Sequence, residues 1–147
     1  MYTIVLATQK GGSGKSTLAI GLALAAIQAG HTVRLIETDS LGTLSNWQSR
    51  RPYAEPLVEP IYNAREIEPR LKALAQSGVT LTIIDTAGGL SSATTAAICC
   101  ADLCLIPARP ERRRHRSGRD HAQPGPVLRQ AVRLRAQPDP DPRPTRQ

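Results

Sequence analysis

The sequence predicts an α/β fold, a three-layer arrangement in which a parallel β-sheet lies between flanking helices. Short apolar runs rich in β-branched residues alternate over the first 110 residues with segments of helical composition or spacing. That alternation is the pattern of parallel strands joined by helical crossovers. The first of these runs passes through a glycine-rich turn directly into the first helical segment. A sharp change in composition then marks where the pattern stops: 52 of the first 110 residues are apolar, but only 7 of the last 37.

Taken in order, Tyr2–Ala7 reads as a buried strand and Thr8–Gly14 as the glycine-rich turn. Ser16–Ala29 reads as a helix, because LAIGLALAAIQA is dense in helix formers and Gly30 supplies a stop. Thr32–Thr38 is a second strand and Asp39–Leu44 a loop. Residues 45–62 contain Pro52, Pro56 and Pro60 and read as an irregular surface excursion. Ile67, Leu71 and Leu74 recur at helical spacing, which predicts a helix through Ala75 that starts near Pro69 and is stopped by Gly78. Val79–Asp85 is a third strand, Ser91–Cys100 a helix and Leu103–Pro107 a fourth strand. Beyond Pro110 the periodicity ends.

Charge divides at the same point. Residues 1–110 carry a net charge of +1, whereas residues 111–147 carry +6, with ten arginines, no lysine and six of the twelve prolines. The pI near 10.0 therefore describes a tail joined to a nearly neutral domain. About 110 apolar-rich residues suffice for one modest core, so residues 1–110 form one domain. Residues 111–147 have the composition of a disordered segment. The sequence contains no membrane-spanning run, and its start has no basic stretch ahead of its apolar run and no cleavage-like site, which argues against a secretory signal. Cys99, Cys100 and Cys104, an odd and clustered set, read as reduced, buried thiols of a cytosolic protein. A zinc site there would need His115 or His121 from the tail as a fourth ligand.

The strongest chemical signal is KGGSGKST, Lys10 to Thr17, lying between a strand and a helix. Gly11, Gly12 and Gly14 let the backbone turn tightly and aim successive N–H groups, including that of Ser13, at an anion. The following helix adds its positive N-terminal end. Lys15 is placed to reach β- and γ-phosphates, and Ser16 to offer its hydroxyl to Mg2+. The general phosphate-loop pattern would require glycine at position 9; this chain has Gln9, with Lys10 beside it.

In that departure the sequence resembles the ParA/MinD family of P-loop ATPases, whose deviant Walker A motif reads K-G-G-x-G-K-[ST] and matches residues 10–16 throughout. The resemblance implies a P-loop NTPase fold of the deviant Walker A class, with ATP and Mg2+ as cofactors. It further implies that Lys10 reaches across a nucleotide-sandwich homodimer to the phosphates of the other subunit, adding a cation where charge develops during phosphoryl transfer.

Carboxylates for such a site come from loops at the carboxyl ends of parallel strands. Asp39 ends the second strand and Asp85 the third. An isolated Asp after a strand is ordinarily a cap or turn residue. The resemblance gives both a larger role: Asp39 matches the second aspartate of the switch I pattern D-x-D-P-Q-G and would orient the attacking water. Asp85 matches the Walker B aspartate that supports Mg2+, and Thr86–Gly89 would form switch II. Glu37 stands where the first Asp of switch I is usual, and Ser40 and Leu41 replace its Pro-Gln. The following LSNW, with Trp47, looks like the partition-type members of the family.

The resemblance continues through ADLCLIPARP, residues 101–110, and members of the family then run on for a comparable further length. It thus implies a truncated, weakly hydrolysing ParA-type protein of plasmid or chromosome segregation. The implied partners are a ParB-like stimulator and nonspecific DNA; the implied location is the cytoplasm, with nucleoid association. A nucleotide-binding module without turnover, a MinD-like membrane-cycling ATPase and a synthetase-like enzyme are the alternatives. Three readings of the tail stay open: a basic arm contacting DNA phosphates, a membrane-surface contact through VLRQAVRLRAQ, or an out-of-frame translation of a GC-rich gene.

Overall fold

The computed structural model describes residues 1–108 and 127–133. Along the chain run β1 (Tyr2–Leu6), α1 (Lys15–Gln28), β2 (Val33–Glu37), α2 (Thr43–Ser49), β3 (Leu57–Pro60), α3 (Ala64–Gln76), β4 (Leu81–Asp85), α4 (Ser92–Cys100), β5 (Leu103–Ala108) and β6 (Val127–Arg133). Their order across the sheet is β3-β2-β4-β1-β5-β6. The first five strands in that order are parallel, and β6 is antiparallel to β5.

Each central strand is apolar on both faces because helices cover both. Val5, Ile36 and Ile84 point into one core with Ile67, Leu71 and Leu74 of α3 and Ala93 and Ala97 of α4. Their sequence neighbours Leu6, Leu35 and Ile83 point to the opposite core with Ala19 and Ala23 of α1 and Leu44 of α2. This two-residue alternation across the sheet produces the three layers expected from the sequence. Ala19 and Ala23 are fully buried one helical turn apart, so α1 lies close against the sheet and holds its N-terminus at the strand ends.

Residues 45–62 are corrected by the structure, since α2 and β3 occupy much of this expected surface excursion. β3 pairs with β2 from Arg34↔Leu57 to Glu37↔Pro60. Pro60 fits because it is the last residue of an edge strand, where a missing N–H costs little. The α3 start is also corrected: the helix begins at Ala64, and Pro69 lies inside it. Asn63 caps it by accepting from the Arg65 N–H at 3.1 Å, and its amide donates to Glu66 Oε1 at 3.0 Å. Arg70 grips Glu59 of β3 with two hydrogen bonds of 2.6 and 2.7 Å, tying the helix to the sheet edge across the proline. That contact, together with the nearby Arg34, holds the Glu59 carboxyl below its usual range.

The thiols divide rather than being buried together: Cys104 is buried, Cys100 half-buried and Cys99 exposed. Burial pushes the Cys104 thiol up. Among the described residues no group of three or more His, Cys, Asp or Glu is placed to hold a metal ion, and no helix is long and apolar enough to cross a membrane. Val127–Arg133 of the tail is β6, antiparallel to β5. The remainder of the 111–147 tail, with His115 and His121, lies outside the described residues.

Leu35 sits at 0 % exposure between α1 and the sheet. Leu35→Ala is expected to cost about 2–5 kcal/mol through lost burial and the cavity left behind. Tyr53→Ala, at a side chain 70 % exposed, is expected to change stability by less than about 0.5 kcal/mol. Urea unfolding of both variants measures the contrast.

Candidate functional site

At the carboxyl ends of β1, β2 and β4 the parallel sheet presents three loops at one edge. The loop after β1 is Ala7–Gly14, and its path depends on two left-handed glycines: Gly12 with φ +72° and Gly14 with φ +88°. Gly14 is also the N-cap of α1, so the loop ends where the helix presents its free N–H groups. A β-carbon on Gly11 or Gly12 would meet nothing within 4 Å, so the outer face of the loop is open to an approaching group.

Lys15, the first residue of α1, is 7 % exposed, and its ammonium donates to Thr8 Oγ1 at 3.1 Å. Thr8 Oγ1 lies 3.1 Å from Ser13 Oγ and donates to the Lys10 carbonyl at 2.9 Å. Thr8 thus braces the loop from inside. Lys10, Gly11, Gly12 and Thr17 are exposed, and Ser13 is buried.

Ser16, one residue along α1, donates its hydroxyl to Asp85 Oδ2 at 2.5 Å. Asp85 is 1 % exposed at the end of β4, and its second oxygen, Oδ1, has no hydrogen-bond partner. An ionised carboxylate buried with one oxygen free is costly unless a cation completes it. Burial pushes the Asp85 carboxyl up to about 6, against the lowering pull of the Ser16 hydrogen bond and the Lys15 charge; Glu37 and Asp39 raise it further. The pair Ser16 Oγ and Asp85 Oδ1, both hard oxygens beside a phosphate-type loop, fits a magnesium ion and its water shell.

The loop after β4 folds back onto the loop after β1. Gly89 donates to the Thr8 carbonyl at 2.9 Å. A β-carbon on Gly88 would lie 2.9 Å from the backbone nitrogen of Gly11, so only glycine allows this approach. Thr86 is anchored beneath, donating to the Leu6 carbonyl at 2.7 Å.

Asp39 lies on the third loop, after β2, and is half-buried. Its Oδ1 accepts from the Leu41 N–H at 3.0 Å and its carbonyl accepts from Gly42 at 3.1 Å. The carboxylate therefore makes a turn of its own loop, the ordinary use of an aspartate after a strand. The structure brings Lys15, Ser16 and Asp85 together and places Lys10 at the exposed crest and Asp39 across the site, with no hydrogen bond between Asp39 and the phosphate loop.

Sequence reasoning missed three contributors. In the sequence Thr8 stands only at the start of a turn, with nothing to mark its bond to Lys15. Gly88 was placed in a loop without its contact with Gly11. Glu37 was noted for its departure from the usual Asp, but not for what it does: fully buried, it accepts from the α2 N–H groups of Leu44 and Ser45 and from Ser45 Oγ. The available signal was Gly42, a helix N-cap with no side chain, which leaves the capping to a residue elsewhere.

Beside the phosphate loop is a cavity of about 710 Å³ lined by Ala7, Leu90, Thr94, Ile98, Ile106 and Pro107 together with the loop's outer wall. It does not include Lys15, Ser16 or Asp85, so it is a neighbour of the polar centre rather than the centre itself.

Residues 4–98 match the family model of the CobQ/CobB/MinD/ParA nucleotide binding domain. Protein ParA of Rhizobium radiobacter is 32 % identical over 115 residues, covering 76 % of this chain and 50 % of the relative. Protein VirC1 of the same organism is 31 % identical over 114 residues, 73 % of this chain and 48 % of the relative. This chain therefore spans about half the length of these curated relatives. Among solved structures, apo McdA of Cyanothece superposes with a TM-score of 0.61 at 24 % identity, over 74 % of this chain and 58 % of that one. A plasmid partition protein of Borrelia burgdorferi gives 0.58 at 22 %, over 76 % and 67 %. The chain belongs to the CobQ/CobB/MinD/ParA nucleotide-binding family, and the solved structures share its fold.

Asp85 makes stability depend on pH. Its folded pKa lies above the ordinary 3.8, so the folded chain takes up the proton first. Ionised Asp85 destabilises the fold above about pH 6, and the penalty is relieved as pH falls towards about 4. Asp85→Asn is expected to be more stable than the parent at neutral pH by about 2–3 kcal/mol, with the difference vanishing near pH 4. Urea titrations of the two proteins at stepped pH test the sign.

Proposed function

We propose that this chain is a nucleotide-binding module of a ParA-type partition ATPase, binding ATP with Mg2+ and hydrolysing it slowly. The observation that carries this reading is the contact between Ser16 and the buried Asp85, whose Oδ1 is unpartnered beside Lys15 and a glycine-lined loop.

In this reading the N–H groups of Gly11–Thr17 and the Lys15 ammonium hold the β- and γ-phosphates, and Thr8 returns to bracing the loop alone. Ser16 and Asp85 hold Mg2+, which when bound neutralises charge on the phosphate oxygens. Asp39 turns its carboxylate from the Leu41 N–H towards the attacking water and accepts its proton's hydrogen bond. Lys10, exposed at the crest, serves the phosphates of a second subunit in an ATP-dependent homodimer. Gly88 and Gly89, backed against the phosphate loop, register the occupied site. The cycle would time nonspecific DNA binding and release in plasmid or chromosome segregation, with a ParB-like stimulator, in the cytoplasm or on the nucleoid. The near-neutral charge of residues 1–110 adds nothing to a DNA-binding reading, so DNA binding rests on the family.

One observation favours a second reading, binding without turnover: the Asp39 carboxylate is engaged within its own loop. Steady-state phosphate release separates the two. Turnover that rises with added DNA supports the ATPase. Tight ATP binding with release no faster than a Lys10→Ala variant supports the module.

Lys15→Ala removes the buried cation at the centre of the loop. Its calorimetric titration with ATP–Mg2+ is expected to show affinity lowered by at least about 100-fold, the equivalent of losing charge-assisted bonds to phosphate. Retained tight binding would sink the nucleotide assignment.

A further inference from the structure

We propose that Glu37 is a positioning residue that couples the phosphate site to α2 by clamping both ends of the Asp39 loop. The proposal deepens the reading of Asp39 above and rests on it.

The loop is closed by hydrogen bonds at every level. At its base, the Glu37 carbonyl accepts from Ile61 at 2.9 Å, and the Thr38 N–H donates to the Asp85 carbonyl at 3.0 Å. Glu37 and Asp85 are register partners on adjacent strands, so their side chains leave the sheet on the same face as α1 and α2. At its far end, the Glu37 carboxylate accepts from Leu44 N at 2.6 Å, from Ser45 N at 3.2 Å and from Ser45 Oγ at 2.6 Å. A fully buried carboxylate with three donors is a rigid fastening. One side chain thus spans from the start of the loop to the first turn of α2, and Asp39 stands at the tip between.

This closure limits what Asp39 can do. The backbone around it is pinned before and after, so its carboxylate exchanges the Leu41 N–H for the phosphate site by rotating within a short loop. Displacement of that loop reaches α2 along the chain itself, and Glu37 fixes the geometry in which it does so by holding the strand end to the first turn of α2. α2 carries Trp47, the single tryptophan of the sequence, which is half-buried with the Arg51 guanidinium 4.3 Å from its ring centroid. Its emission therefore reports on α2 from a fixed place.

The test titrates ATP–Mg2+ into the parent chain, Glu37→Gln and Ser45→Ala, following binding by calorimetry, Trp47 emission, and phosphate release at saturation. Gln preserves volume but turns an amide donor towards the Ser45 donors; Ser45→Ala removes a single donor and leaves the backbone contacts. The parent is expected to bind ATP with a change in Trp47 emission. Glu37→Gln is expected to bind within about threefold of the parent, to lose most of the emission change, and to release phosphate up to about a hundredfold more slowly, the scale of a misplaced catalytic group. Ser45→Ala is expected to move the same way by a smaller factor, with cooperative thermal unfolding retained.

The proposal is overturned if both variants keep the parent's emission change and release rate. It is also overturned if affinity falls together with them as far as in Lys15→Ala. ATP binding by the parent with no emission change overturns this coupling alone, whereas failure of the parent to bind ATP overturns the nucleotide reading and this inference with it.

Discussion

A carboxylate at the end of a central parallel strand loses its water when helices close over both faces, and Asp85 is in that position at 1 % exposure. Few groups stand against that loss: the Ser16 hydroxyl at one oxygen and the field of the Lys15 ammonium. Both belong to the first turn of α1, so the chain can bury Asp85 only if α1 starts where it does. Gly14 at φ +88° sets that start. The paired alanines 19 and 23 then let the helix lie against the sheet without lifting its N-terminus away. The phosphate loop, the helix and the buried acid are therefore one construction, and the strand order serves it by placing β4 directly between β1 and β2.

The loops around this centre are held by contacts that do not depend on bulky side chains. Thr8 ties Lys15, Ser13 and the Lys10 carbonyl together, while Gly88 meets Gly11 backbone to backbone. One hydroxyl, that of Thr8, therefore meets the Lys15 ammonium and the loop backbone together. The approach of Gly88 to Gly11 also means that the loop after β4 and the loop after β1 cannot move independently towards each other.

Much of this was legible in the sequence, and the part that was not has a common cause. Strands β1, β2, β4 and β5 and helices α1 and α4 were readable because each is a short apolar run or a dense helix-former segment bounded by Gly, Ser or Asp. The phosphate loop was readable because its chemistry is local: three glycines, two lysines and three hydroxyls within eight residues. β3 and the start of α3 were hidden because Pro56, Pro60 and Pro69 dominate the local signal there, and α2 because its seven residues carry little apolar periodicity and no capping side chain. They are held by partners outside their own segments: Glu37 for α2, β2 for β3 and, along the body of α3, Glu59 through Arg70. The single use of Asp39 as a turn former was visible in principle, yet two acids behind a phosphate loop point equally well to the metal and the water. Exposure of Cys99 was hidden too, because a helix apolar on nearly all faces does not reveal which face meets solvent.

Position 37 shows why a departure from a family pattern need not weaken a site. A shorter aspartate there would end one methylene earlier, over about 1.5 Å of lost reach. The Glu37 bonds to Leu44 N and Ser45 Oγ are both 2.6 Å long and have no slack to give back. In this chain the loop between β2 and α2 runs through Ser40 and Leu41 rather than a proline, and α2 begins at a glycine with no capping side chain. The longer acid supplies the cap that Gly42 lacks. Glu37 thus fastens both the strand end and α2, and Asp39 stands two residues beyond the strand end between them.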